Sequence, residues 1–66
     1  MNVNELLSMK AMKRMEALRS MNVDELQVLS DETSKLIKQT KDLEQLTALR
    51  NLASRITGEM AALKFG

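Results

Sequence analysis

Residues 43–63 read Leu-Glu-Gln-Leu-Thr-Ala-Leu-Arg-Asn-Leu-Ala-Ser-Arg-Ile-Thr-Gly-Glu-Met-Ala-Ala-Leu. Apolar side chains recur at every third or fourth position, and at ~100° per residue that spacing is helical. They fall in two rows. Leu46, Leu49, Leu52, Ala53, Ile56, Met60 and Leu63 make one. Leu36, Thr40, Leu43, Thr47, Ser54, Gly58 and Ala61 make a second, lighter row, rotated from the first by more than a right angle. A helix with two such faces is not satisfied by a single neighbour. From Leu49 the row steps by four, three, four, three (49, 53, 56, 60, 63), the spacing of a coiled-coil seam. Steps of three through 43, 46 and 49 disturb a strict heptad. The expectation is a short oligomeric bundle, with Leu46, Leu49, Leu52, Ile56, Met60 and Leu63 holding copies of the chain together. Ser54, Gly58 and Ala62, spaced by four, would admit a close second backbone. A tolerated glycine near a helix end is the plainer account.

Upstream of this stretch the signals are helix starts. Ser30-Asp31-Glu32 offers a capping serine followed by two acids for the positive first turn. It predicts a long helix over 31–63, ~50 Å from end to end. A competing reading carries an earlier helix through Ser30 and breaks near Thr40-Lys41-Asp42. No Gly or Pro marks that break, so the long helix is preferred. Two hexapeptides match closely, Met-Asn-Val-Asn-Glu-Leu at 1–6 and Met-Asn-Val-Asp-Glu-Leu at 21–26. Each contains Asn-x-x-Glu, the shape of a capping box with Asn2 or Asn22 as the cap and Glu5 or Glu25 reaching back. They predict a helix over 3–19 and a short one over 23–29. The residues that follow do not match, so these are two uses of one local solution and not a repeat array. The chain is expected to be all-α: one small domain over 1–66, built as a helical hairpin or three-helix unit. Residues 1–20 would serve as a partner-binding helix and 31–63 as the oligomerisation helix.

Residues 1–20 are less regular. Leu7, Ala11, Met15 and Leu18 form one stripe, with Leu6, Met9 and Met12 off it. Methionine is flexible and polarisable, and suits adaptable binding surfaces. Leu6, Met9, Met12 and Met15 are therefore candidate contacts for a protein partner. Ordinary core filling between two neighbours is the alternative. Lys10, Lys13, Arg14 and Arg19 lie on the same segment and are the candidate surface for nucleic acid.

Composition narrows the chemistry. The 66 residues carry 10 Lys+Arg against 9 Asp+Glu, and no Cys, His, Trp, Tyr or Pro. Without Cys and His, disulfides and almost every zinc, haem or iron–sulfur site are excluded. Acid–base work would fall to Asp, Glu or Lys alone. The pairs Asp24-Glu25 and Asp31-Glu32 are adjacent, so on a helix they diverge and do not converge on a substrate. No glycine loop is present to cradle a phosphate. No catalytic residue, metal or cofactor is expected. Charge is uneven along the chain: residues 1–20 carry four basic and two acidic groups, 21–48 three and six, 49–66 three and one. Asp31–Lys35 and Arg55–Glu59 have the i,i+4 spacing of helical ion pairs, worth ~0.2–0.5 kcal/mol each.

These observations favour a non-enzymatic interaction module, cytoplasmic (a host cytoplasm included). It would self-associate, most simply as a dimer, and bind or block a larger protein as an adaptor, inhibitor or regulatory subunit. A domain of ~60 residues without staples is marginal alone, which also favours association. A small dimeric nucleic-acid-binding regulator using the basic N-terminal helix is the alternative. Against it stand the net charge of +1 and the lack of stacking aromatics. No apolar run suits a leader or a membrane span. A membrane-surface helix over residues 1–20 would lack the interfacial Trp or Phe.

Overall fold

The computed structural model describes residues 2–66; Met1, the first residue of the earlier hexapeptide, lies outside them. Four helices follow in order: α1 (Val3–Ser8), α2 (Ala11–Arg19), α3 (Val23–Gln39) and α4 (Leu43–Phe65). No strand occurs among the described residues.

The Asn-x-x-Glu starts are where the sequence places them. The Asn22 side chain accepts from the Glu25 amide at 2.8 Å, and the Glu25 carboxylate accepts from the Asn22 amide at 3.2 Å, a complete capping box. At α1 the Asn2 side chain accepts from the Glu5 amide at 2.9 Å. The Val3 amide donates instead to Glu32 of α3, at 2.8 Å. That bond closes the start of α1 and ties it to the hairpin.

Two boundaries correct the expected ones. The helix over 31–63 is not formed, and neither is the short helix over 23–29. α3 runs unbroken through Ser30, and the chain breaks at Thr40–Asp42. Ser30 is half-buried in mid-helix and caps nothing. Asp31 accepts from the Gln27 side chain at 3.1 Å. The break has local causes that need no Gly or Pro. Thr40 sends both its amide (2.9 Å) and its hydroxyl (2.6 Å) to the Leu36 carbonyl, closing α3. The Asp42 carboxylate then accepts from the Glu44 and Gln45 amides at 2.9 and 3.2 Å, capping α4.

The helix over 3–19 is likewise two helices. Met9 and Lys10 are extended, with ψ of 153° at each. A helix ending there strands its last carbonyls. Arg14 satisfies them: its Nε donates to the Leu6 carbonyl at 2.8 Å, and its Nη2 donates to Met9 at 2.9 Å and Leu7 at 3.3 Å.

α3 and α4 form an antiparallel hairpin, the most extensive packing in the molecule. α3 buries Leu26, Leu29 and Thr33, and α4 buries Leu49, Leu52 and Ile56. Both series step by three and four, so each presents one stripe to the other. Val3 and Leu6 of α1 and Leu18 of α2 complete a single core. Thr33 is the one buried polar residue among the described residues, and its hydroxyl donates to the Leu29 carbonyl at 2.7 Å. The radius of gyration is 11.3 Å. A compact chain of this length has ~11 Å, so the four helices close on one another without further elements.

Candidate functional site

This arrangement leaves several grooves, of which two border α4. The larger, about 550 Å³, runs between α1, the end of α3 and the start of α4. Leu7, Leu36, Ala48 and Leu49 supply its apolar surface, and Asn4, Ser8, Thr40, Glu44 and Gln45 its polar rim. Arg14 stands at its edge with its donors already on the α1 carbonyls. The second groove, about 350 Å³, lies between α2 and α4 and is bordered by Met15, Leu18, Leu52, Arg14 and Arg55. Ala11 and Arg14 meet Asn51 and Arg55 there, while Arg19 further on pairs with Glu59 at 3.5 Å, so α2 runs in the direction of α4.

The four candidate partner contacts are not brought together. Leu6 is buried in the core, and Met9 packs against it half-buried. Met15 borders the α2–α4 groove. Met12 alone stands outside, 77% exposed. The sequence did not single out Leu36 and Ala48 as a surface, because the groove they share with Leu7 joins three helices distant in the chain. The stripe containing Leu7, and Leu36 and Thr40 at the head of the lighter row, were the local traces of it.

Among the self-association candidates, Leu49, Leu52 and Ile56 are buried in the chain's own core. Leu46 and Met60 are half-buried, and Leu63 is exposed. The heavier row of α4 thus faces the hairpin partner. The lighter row, with Leu43, Thr47, Ser54, Gly58 and Ala61, faces outward. A methyl group added at Gly58 would meet nothing within 4 Å.

The basic residues divide in the same way. Arg14 is tied to backbone carbonyls and Arg19 to Glu59, leaving Lys10 and Lys13 exposed. Arg19–Glu59 is the one ion pair among the described residues; Asp31–Lys35 and Arg55–Glu59 do not form. With Arg19 two-thirds exposed, the pair is worth at most ~1 kcal/mol.

Among the described residues no three His, Cys, Asp or Glu side chains converge as a metal site, and no helix is long and apolar enough to cross a membrane. No protein-family model matches the chain, and none of the curated proteins or solved structures compared with it matches either.

Proposed function

We propose that the protein is a non-enzymatic helical interaction module that self-associates and binds or blocks a larger protein partner in the cytoplasm. The observation that supports this reading is the α1–α3–α4 groove. Its surface is aliphatic, from Leu7, Leu36, Ala48 and Leu49, and its rim is mostly amide and hydroxyl. Such a lining suits the apolar stripe of a partner helix, laid in as i, i+3 or i+4, i+7 anchors. The hydroxyls of Ser8 and Thr40 on its rim donate to the Glu5 and Leu36 carbonyls.

The test is affinity capture of the tagged full chain from its native cell, with mass spectrometry and nuclease-treated controls. Ala48→Arg is compared in parallel, since a long charged side chain at a half-buried groove position fills it. Proteins retained by the native chain and lost with Ala48→Arg are the expected result. Identical captures from both would overturn the groove as the contact surface. Loss of every partner on nuclease treatment would replace this reading with the nucleic-acid one.

A further inference from the structure

The uneven distribution of charge along the chain becomes two opposed surfaces in the fold. The first is the α2–α4 groove. Leu18 and Leu52 supply its buried floor, Met15 its flank, and Arg14 and Arg55 its charge; no acidic side chain borders it. The second is the outer stripe of α3. Asp24, Val28 and Asp31 step by four and three, so they share one face of the helix. Asp24 and Asp31 are exposed, and Val28, between them, is 67% exposed. Neither aspartate is in an ion pair, and neither is Arg55. The two aspartates lie ~10 Å apart along the axis, one on each side of the valine.

One surface carries what the other lacks: a small apolar side chain between two negative charges, and a groove with an apolar floor bordered by two positive ones. They cannot meet within one molecule. α3 packs its opposite face on α4, and Val28 does not border its own chain's groove.

We propose that copies of this chain associate head to tail, with the Asp24–Val28–Asp31 stripe of one copy seated in the α2–α4 groove of the next. Val28 covers the Leu18–Leu52 floor, and the aspartates face Arg14 and Arg55. The proposal rests on the reading of the protein as self-associating, and it names the surfaces. Because the two patches differ, the interface is heterologous and generates a ring or an open chain of copies.

Sedimentation velocity on the full chain tests it, at about 50 mM and about 500 mM salt, where screening lengths are roughly 14 and 4 Å. The native chain is expected to associate, and less so at high salt. Arg55→Glu and Asp31→Arg are each expected to weaken association by at least about tenfold. Mixed together they are expected to associate again, since Arg55→Glu keeps the acidic stripe and Asp31→Arg keeps the groove. Both positions are exposed, and helical content on the same samples checks the fold. Arg55→Gln and Asp31→Asn carry the same expectation with a smaller loss should a reversal unfold the chain. If both variants associate like the native chain, or fail to pair when mixed, the head-to-tail interface is wrong while self-association stands. A native chain that stays monomeric at every concentration and salt would overturn this interface and self-association together, leaving capture of a partner at the α1–α3–α4 groove to its own test.

Discussion

Arg14 illustrates how much one side chain decides here. It helps α1 to stop at Ser8 by donating to the carbonyls of Leu6, Leu7 and Met9, of which Leu6 accepts also from the Met9 amide. Hydrogen bonds from a charged donor contribute ~1.5–3 kcal/mol each, less where solvent competes. Arg14→Ala is expected to destabilise the fold by about 2 kcal/mol in urea unfolding. Arg14→Lys should recover little of that, because an ammonium cannot reproduce the planar fork. Full recovery by lysine would show that charge alone, and not the fork, holds α1. Glu32 has the matching role at the other end of α1. Glu32→Ala should speed hydrogen exchange of the Val3 amide, and Glu32→Gln, which keeps a carbonyl acceptor, should restore most of the protection. The sequence held no sign of either contact. Both join residues through a turn or across helices, and a pattern read along one helix carries no information about such pairs.

At the scale of the element, legibility follows the reach of the cause. The starts of α1 and α3 were readable because Asn-x-x-Glu acts within one turn. The break at 40–42 was readable too: Asp42-x-x-Gln45 is a helix-start pattern of the same kind. The absence of Gly and Pro at 40–42 does not rule a break out, because Thr and Asp side chains can close one helix and cap the next. Nothing local separates that pattern from Ser30-Asp31-Glu32; Ser30 fails as a cap because Leu26, Leu29 and Thr33 hold one continuous stripe across it. Asp42→Ala removes an acceptor that serves two amides and is expected to cost about 1 kcal/mol, read from the shift in unfolding midpoint. Gly58 gives a prediction of opposite sign. It sits exposed inside α4 with open space around it, so Gly58→Ala should stabilise the chain by about 0.5–1 kcal/mol. A loss of stability would mean that another backbone approaches α4 there.

For the whole molecule, the all-α class and the spacing of Leu49, Leu52 and Ile56 were legible, and what those residues face was not. Periodicity reveals a stripe but not whether its neighbour belongs to the same chain. In the fold the neighbour is α3, brought back by a three-residue turn. Ile56→Asp is therefore expected to abolish the fold, not merely dissociate copies, because it places a carboxylate in a fully buried core position. Circular dichroism of a well-folded Ile56→Asp chain would contradict the burial. Leu52→Ala should cost ~2–5 kcal/mol, comparable to the entire stability of a domain this small.

The dominance of the α3–α4 hairpin also sets the order in which the molecule is assembled and opened. Its contacts are made by segments joined by a short turn, so the entropy of closing that loop is small. α1 and α2 add few contacts and are anchored mainly by Val3, Leu6 and Leu18, with Glu32 fastening α1. Partial unfolding should therefore proceed from the N-terminus, releasing α1 and α2 as a unit while the hairpin persists. Native-state hydrogen exchange would show this as a lower opening free energy for residues 3–19 than for the cores of α3 and α4. In that open form one flank of the hairpin's buried stripe, formerly under Leu6 and Leu18, is bare to water. A chain of this build carries, at a small population set by the strength of these anchoring contacts, a second and stickier personality whose abundance a single substitution at Glu32 would raise.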